Sequence, residues 1–326
     1  MEGPHQQVAR LLAAPGQLAA RGVDDLDLHP VDGPPDAQAL RDGEARLEAV
    51  GWHPDAALYH AASQWQGVVG EEGRRRHDDA AHRERLEQHR PAFIYLIPTF
   101  QNPSAVRYSE AKRAAVAALL DEFGVTLIED EPYRELVFDA GSATPIVSRL
   151  QKTSWIYTGT VSKTLLPGLR VGYLIATKDL YPHLLRLKQS ADLHTNRIGQ
   201  WQALQWLGSE KYRGHLAELR DFYRIRRDAM QAVLEEHFRD LADWQVPQGG
   251  LFFWLTLKQP LDTRTLLQPA MAQNVAFMPG EPFFTEPDAH PGHLRLNFSH
   301  VEPERLSEGL KRLAAVIRQA QAANAD

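Results

Sequence analysis

The sequence contains no cysteine. This absence excludes disulfide bonds, thiolate zinc sites, iron–sulfur clusters and a cysteine nucleophile. Whatever chemistry the protein performs must therefore come from other groups.

Long apolar runs and an excess of basic charge are also missing. No stretch of 18 apolar residues occurs and no charged-then-apolar leader begins at Met1, so we expect neither a membrane span nor a secretory signal, and a cytoplasmic location. The formal net charge is −6, and lysine and arginine are scattered rather than clustered. We therefore expect no nucleic-acid partner.

Residues 1–92 lack isoleucine, threonine, lysine, asparagine and phenylalanine, all of which are frequent afterwards. Without β-branched runs, this segment is expected to contribute few or no core strands. Two interpretations stay open. Either the segment is helical, or much of residues 1–70 is divergent, deleted or out-of-frame sequence.

An α/β pattern begins at Phe93. A helix is predicted from Ser109, as its N-cap, to the residue before Gly124. Apolar runs predict strands at residues 93–97, 125–128, 155–157 and 171–176. Buried strands separated by helices are typical of a mostly parallel sheet, which places its binding sites at the carboxyl ends of the strands.

Beyond about residue 200 the pattern changes to amphipathic helices, one around residues 219–238 and one with Leu306, Leu310, Leu313 and Ile317 on one face. A strand is predicted at residues 252–255. At 326 residues the chain is long enough for two domains. We predict a divergent N-terminal segment at residues 1–70, a large α/β domain at 71–205 and a small α+β domain at 206–326.

Candidate chemistry follows two of the predicted strands. Asp130 stands where a strand ends, and an acid there can meet a ligand, although a helix cap or loop acid is an alternative. Thr160, Ser162, Lys163 and Arg170 share the next loop. Hydroxyls and a guanidinium suit a phosphate, and a lysine amine can form a Schiff base with an aldehyde. A nucleotide-binding P-loop is disfavoured because Ser162 stands where that motif requires glycine, and a structural lysine remains possible.

Several segments, in order, resemble class I/II (fold type I) aminotransferases that depend on pyridoxal phosphate (PLP). The segments are 98–103 (PTFQNP), 129–133 (EDEPY), 162–170 (SKTLLPGLR), 247–254 (PQGGLFFW), 278–280 (MPG) and 294–299 (LRLNFS). The branch with 2-aminoadipate aminotransferases and the effector domains of MocR-type regulators is most similar. The resemblance runs from about residue 71 to the C-terminus. It implies a homodimer that uses PLP to move an amino group between an α-amino acid and a 2-oxo acid.

The same resemblance implies a role for each matching residue. Lys163 would hold PLP covalently and move a proton during the reaction. Asp130 would pair with the pyridine nitrogen, and Asn102 and Tyr133 would hydrogen-bond the phenolic oxygen. The phosphate would be held by Thr160, Ser162 and Arg170, and the substrate α-carboxylate by Arg295. No metal is expected, because the spacing of His77, His82 and His89 matches no zinc motif.

The chain departs from the family before residue 71. Relatives begin the large domain with a Gly-Ser-Gln turn that binds the phosphate, followed by an aromatic residue stacked on the cofactor ring. Residues 3–7 and Tyr59 resemble these features only faintly, so we expect no ordered phosphate turn or stacking aromatic there, and weak PLP binding. Ala105 replaces a usual glycine, which matters if its φ is positive. The alternatives are a non-catalytic PLP-binding effector module, a decayed remnant, or a PLP enzyme for elimination or decarboxylation.

Overall fold

The computed structural model describes residues 79–139, 144–284 and 287–324. In this part of the chain seven α-helices and eight strands follow one another. They are α1 (Asp79–His89), β1 (Phe93–Leu96), α2 (Glu110–Phe123), β2 (Thr126–Asp130), β3 (Trp155–Thr160), β4 (Gly172–Ala176), α3 (Tyr181–Asp192), α4 (Arg197–Leu207), α5 (Glu210–His237), β5 (Ala242–Trp244), β6 (Phe252–Leu257), α6 (Thr263–Ala272), β7 (Met278–Pro279), β8 (His293–Asn297) and α7 (Pro303–Ala323). None of the helices in the described ranges is long and apolar enough to cross a membrane.

The first sheet has the order β1-β2-β3-β4. The first three strands are parallel, as expected for strands joined by helical crossovers. β4 is antiparallel to β3 because residues 161–171 connect the two strands without a crossover helix. The parallel strands place the carboxyl ends of β1, β2 and β3 at one edge of the sheet.

Helix α2 packs on the sheet and forms where its cap residues predict. The Ser109 side chain accepts a hydrogen bond from the Lys112 backbone N–H, which satisfies one of the free donors at the helix start. Gly124 ends the helix with a φ of 66°, a conformation that glycine adopts without steric cost. The buried side chains of α2 include Leu120, which joins Leu127 of β2 in one apolar cluster.

The second sheet has the order β5-β6-β8-β7 and is antiparallel. Its inner face packs against α5, α6 and α7 around Phe253, Leu255 and Leu294, none of which is exposed to solvent. Alternate residues on the opposite face, such as Trp254 and Arg295, are paired across β6 and β8 and are half-buried. That half-buried face is the one that carries the predicted substrate-binding arginine.

A small apolar cluster joins the two sheets. It contains Phe100 and Tyr133 from the loops after β1 and β2, and Leu251 and Phe252 from the start of β6. The loops of the first sheet are thereby packed directly against the second sheet.

The predicted helix at 219–238 begins earlier than expected, at Glu210. Its first turns bury Tyr212 and Leu216. These two side chains are not part of the apolar cluster in which the C-terminal half of the helix is buried. The expectations for residues 3–7, Tyr59 and His77 concern positions outside the described residues.

Candidate active site

Asp130 is the last residue of β2, at the carboxyl edge of the first sheet. The Thr158 hydroxyl donates to its Oδ1 at 2.7 Å, and the Tyr95 hydroxyl donates to its Oδ2 at 2.5 Å. Thr158 lies directly opposite Asp130 in the register of β2 and β3, so both side chains share one face of the sheet. These two donors fix the plane of the half-buried carboxylate.

The loop after β3 carries Lys163. The Thr160 hydroxyl accepts a hydrogen bond from the Ser162 backbone N–H at 3.1 Å and lies 2.9 Å from the Ser162 hydroxyl. The Lys163 side chain is half-buried, and no hydrogen bond or ion pair to its amine is found within the described residues. The loop therefore presents two adjoining hydroxyls and one amine beside the strand that carries Thr158.

Arg170 ends the same loop. Its φ of 54° and ψ of 40° are left-handed, and its Nη1 donates to the Pro167 carbonyl oxygen at 3.3 Å. Its side chain is exposed, and none of the hydrogen bonds among the described residues joins it to Thr160 or Ser162. The structure thus places the three predicted phosphate ligands at the end of β3 and on the loop that follows it, but brings only the two hydroxyls into contact.

Asn102 and Arg295 meet across the two sheets. Arg295 Nη1 donates to Asn102 Oδ1. The guanidinium carbon of Arg295 also lies 4.2 Å from the centroid of the Phe252 ring, a cation–π contact. Tyr133 is buried and packs edge to face on the same ring, with 5.9 Å between centroids. One aromatic ring therefore contacts both Tyr133 and Arg295.

Two glycines allow the Asn102 loop to reach this position. A Cβ at Gly249 would lie 2.2 Å from both the Phe100 ring and the Leu136 carbonyl oxygen, and one at Gly250 would lie 2.7 Å from Phe100 Cβ. No side chain fits in that space. In the same loop Ala105 has a φ of 57°, so the position does require the left-handed conformation that glycine favours.

A buried ionic network lies behind the candidate site. Arg113 of α2 is fully buried, and its guanidinium donates to Glu131 Oε1 at 3.4 Å and lies 3.8 Å from Glu129 Oε1. It also donates to the Pro98 carbonyl oxygen and the Thr99 hydroxyl, each at 2.8 Å. Arg113 therefore ties the start of the Asn102 loop to the strand end that carries Asp130.

Burial affects both carboxyl groups of this network. Burial raises the pKa of Glu129 to about 8, the nearby Glu131 carboxyl adds to the rise, and backbone N–H groups and Arg113 oppose it. Burial also raises the pKa of Glu131, although Arg113 and the Thr99 hydroxyl oppose the rise. The Arg113 guanidinium thus lies near two buried carboxyl groups, and the free-energy cost of ionising both at once is high.

Sequence reasoning missed Tyr95, Thr158 and Arg113. A signal existed for the first two, because residues that share a face on neighbouring strands can be deduced once the strand order is assumed. No local signal marks Arg113, which occupies an ordinary position in an amphipathic helix. Within the described ranges, no group of three histidine, aspartate or glutamate side chains could hold a metal ion.

The donor set fits PLP, the cofactor that the resemblance implies. An aldehyde requires an amine, which Lys163 supplies, and a protonated pyridine nitrogen requires a carboxylate, which Asp130 supplies. Asn102 accepts from Arg295 through Oδ1, so its Nδ2 hydrogens can donate to a phenolic oxygen. The hydroxyls of Thr160 and Ser162 suit a phosphate.

Comparisons with known proteins point to one family. The family model described as aminotransferase class I and II matches residues 70–313. The chain is 39% identical over 226 residues to aromatic-amino-acid aminotransferase 1 of Thermococcus litoralis, an alignment covering 69% of this chain and 54% of that protein. It is 34% identical over 253 residues to the 2-aminoadipate transaminase of Thermus thermophilus, covering 77% of this chain and 62% of that protein.

A solved structure shows the same fold. The crystal structure of the Pyrococcus horikoshii kynurenine aminotransferase, in complex with PMP, superimposes with a TM-score of 0.71 at 34% identity. The match covers 74% of this chain and 61% of that one. This likeness confirms the predicted fold type I architecture. The chain spans between about half and two thirds of the length of these relatives.

Proposed function

The chain belongs to the class I and II aminotransferase family, and from this premise we propose that it uses PLP to transfer an amino group between an α-amino acid and a 2-oxo acid. The observation that carries the proposal is the placement of Asp130. Its carboxylate stands at the carboxyl edge of the sheet with each oxygen fixed by a hydroxyl donor. When bound, PLP withdraws electrons from the substrate Cα and so makes that carbon acidic.

The residues of the chain then have distinct tasks. The Lys163 amine binds the cofactor and moves the proton at the substrate Cα. The Asp130 carboxylate keeps the pyridine nitrogen protonated. The hydrogen bonds from Tyr95 and Thr158 keep this carboxylate in one orientation. Arg295 binds the substrate α-carboxylate through two parallel hydrogen bonds. The Phe252 ring, which packs against the guanidinium, limits the orientations that the guanidinium can adopt.

The remaining site residues complete the cofactor contacts. Asn102 and Tyr133 donate to the phenolic oxygen, while Thr160, Ser162 and Arg170 hold the phosphate. Arg170 would have to exchange its contact with the Pro167 carbonyl oxygen for the phosphate, which its exposed side chain permits.

The proposal extends to the organisation of the protein. It includes the large domain at 71–205 and the small domain at 206–326, a homodimer, a cytoplasmic location and a biosynthetic role. These points remain predictions from the sequence, and light scattering of the purified protein tests the dimer.

Replacement of one lysine tests the chemistry. PLP added to the purified protein should produce a visible absorbance band, and borohydride should fix the cofactor on Lys163. Lys163→Ala should abolish the band and the turnover of amino donors. Lys178→Ala is the matched control, because Lys178 is an exposed lysine just beyond β4 and should leave both unchanged.

The outcomes separate the alternatives. Cofactor fixed on a lysine other than Lys163 contradicts the assignment. A band on Lys163 without amino transfer to any 2-oxo acid favours the non-catalytic PLP-binding module, and release of ammonia or carbon dioxide favours elimination or decarboxylation.

A further inference from the structure

Helix α5 contacts the residue that follows Lys163. Thr164 is 4% exposed, and both of its polar oxygens lie against this helix. The Tyr212 hydroxyl donates to Thr164 Oγ1 at 3.3 Å, and His215 Nε2 lies 2.8 Å from the Thr164 carbonyl oxygen. A carbonyl oxygen only accepts, so His215 carries a proton on Nε2 and donates.

The residue before Lys163 is fixed as well. The Ser162 backbone N–H donates to the Thr160 hydroxyl at 3.1 Å, and the Leu165 backbone N–H closes the turn on the Val161 carbonyl oxygen at 2.8 Å. The backbone of Lys163 is thus held on its N-terminal side by its own strand end and on its C-terminal side by α5.

The helix offers a firm support for this contact. Tyr212 is 5% exposed, and the His215 ring lies 5.8 Å from the Trp206 ring of α4, between centroids. Further along α5, Arg220 Nε donates to the Glu135 carbonyl oxygen at 2.6 Å, near the segment that carries Tyr133. The C-terminal half of α5 enters the core of the second sheet through Leu234.

We propose that His215 and Tyr212 are positioning residues for Lys163. They hold the backbone of Thr164 in place and thereby fix the direction in which the Lys163 side chain points from the loop. The consequence for catalysis rests on the proposed function, in which the amine attacks an aldehyde and moves a proton. Both reactions become slower when the amine is displaced even slightly from the reacting atoms. The positioning itself does not depend on the cofactor.

Three variants test the role of His215. His215→Leu removes the hydrogen-bond donor and replaces the imidazole with an apolar side chain. His215→Gln restores a donor, because its Nε2 amide can reach the position of the imidazole Nε2. His237→Leu is the control, since His237 is the last residue of the same helix and lies far along it from the lysine loop.

The first measurement needs no cofactor. The purified proteins are treated briefly with acetic anhydride, and acetylation of Lys163 is compared by mass spectrometry with that of exposed Lys178. Loss of one hydrogen bond frees the loop, so His215→Leu should change the relative labelling of Lys163 about fivefold, equivalent to about 1 kcal/mol. His215→Gln and His237→Leu should match the unaltered protein.

The second measurement uses PLP. In His215→Leu, borohydride should fix several times less cofactor on Lys163, and kcat should fall while the KM for the amino donor stays unchanged. Tyr212→Phe removes one hydroxyl without loss of ring volume, and it should show the same changes to a smaller extent. It provides the test if His215→Leu fails to fold.

Unchanged relative labelling of Lys163 in folded His215→Leu, or in Tyr212→Phe if only that variant folds, overturns the proposal. An equal change in the relative labelling of Lys163 in His215→Gln overturns it as well. The change would then not be caused by loss of the hydrogen bond, which glutamine restores. If labelling changes as expected but no variant, nor the unaltered protein, binds PLP, the positioning contact stands and the proposed function fails.

Discussion

Glu129→Gln should change how the stability of the protein depends on pH. Glu129 is fully buried, and its two oxygens accept from the Ile146 and Val147 backbone N–H groups at 2.9 and 2.8 Å. Burial, with a smaller contribution from Glu131, raises its pKa from an ordinary 4.5 to about 8. The folded protein therefore retains a proton that the unfolded chain releases near pH 4.5.

The sign follows from proton linkage. Wherever the folded state binds more protons than the unfolded state, the free energy of unfolding falls as the pH rises. The contribution of Glu129 is fully present below pH 4.5 and is lost as the pH rises through about 8. At 1.36 kcal/mol for each pKa unit, the loss is at most about 5 kcal/mol.

Glutamine at position 129 cannot ionise, so this part of the pH dependence disappears. The amide has one acceptor where the carboxyl group has two, so one of the two backbone N–H groups loses its partner, at a cost of about 1–3 kcal/mol. The variant should therefore be the less stable protein at pH 5. At pH 8.5 it should be the more stable one, by about 2–4 kcal/mol.

Urea unfolding at pH 5, 6, 7, 8 and 8.5 measures the two curves. Glu122→Gln is the control, because Glu122 is an exposed carboxyl group of α2 whose pKa is lowered by its hydrogen bond from Arg83. Glu122 is ionised in both states over this range, so its replacement should leave the slope unaltered. If the curve of Glu129→Gln runs parallel to that of the unaltered protein, the assignment of a raised pKa to Glu129 is wrong.

Three further changes have defined outcomes. Ala105→Gly should raise the melting temperature by relieving the positive φ, with a gain of up to about 1 kcal/mol, and a lower melting temperature would contradict the strain. Gly249→Ala should cost about 3 kcal/mol in urea unfolding, because the new Cβ would lie 2.2 Å from the Phe100 ring, and full stability would show that the loop can move aside. Asp130→Asn should keep bound PLP, followed by absorbance, but lose most amino transfer, whereas near-normal turnover would make Asp130 a structural acid.

The helix and strand predictions succeeded where the determining chemistry is local. Ser109 and Gly124 delimit α2 as expected, because a cap is a contact between a side chain or a left-handed residue and the adjacent turn. The predicted start of α5, around residue 219, was wrong by about two and a half turns, because the helix begins at Glu210. Gly214 weakens the helical pattern there, and the buried Tyr212 faces the lysine loop rather than the core that the rest of the helix covers.

The assignment of the site residues remains a prediction, and the contacts that surround them in the structure could not be predicted from the sequence. Lys163 and Asp130 stand out because they follow buried strands, whose carboxyl ends meet at one edge. The burial of Arg113 depends on one glutamate from β2, on a second glutamate just after that strand, and on the Pro98 carbonyl oxygen of a separate loop. Such contacts are set by tertiary packing, which the sequence pattern around one residue does not contain.

The contact between Asn102 and Arg295 joins residues 193 positions apart, and Phe100 packs on Gly249 and Gly250, which lie 149 and 150 positions further along the chain. Contacts of such long sequence separation form slowly, because a long loop must close before they give any stability. Arg295 is synthesised well after the last strand of the first sheet, β4, which ends at Ala176. The first sheet can therefore pair its strands while the chain is still growing, but the contact between Asn102 and Arg295 can form only after β8 has been synthesised.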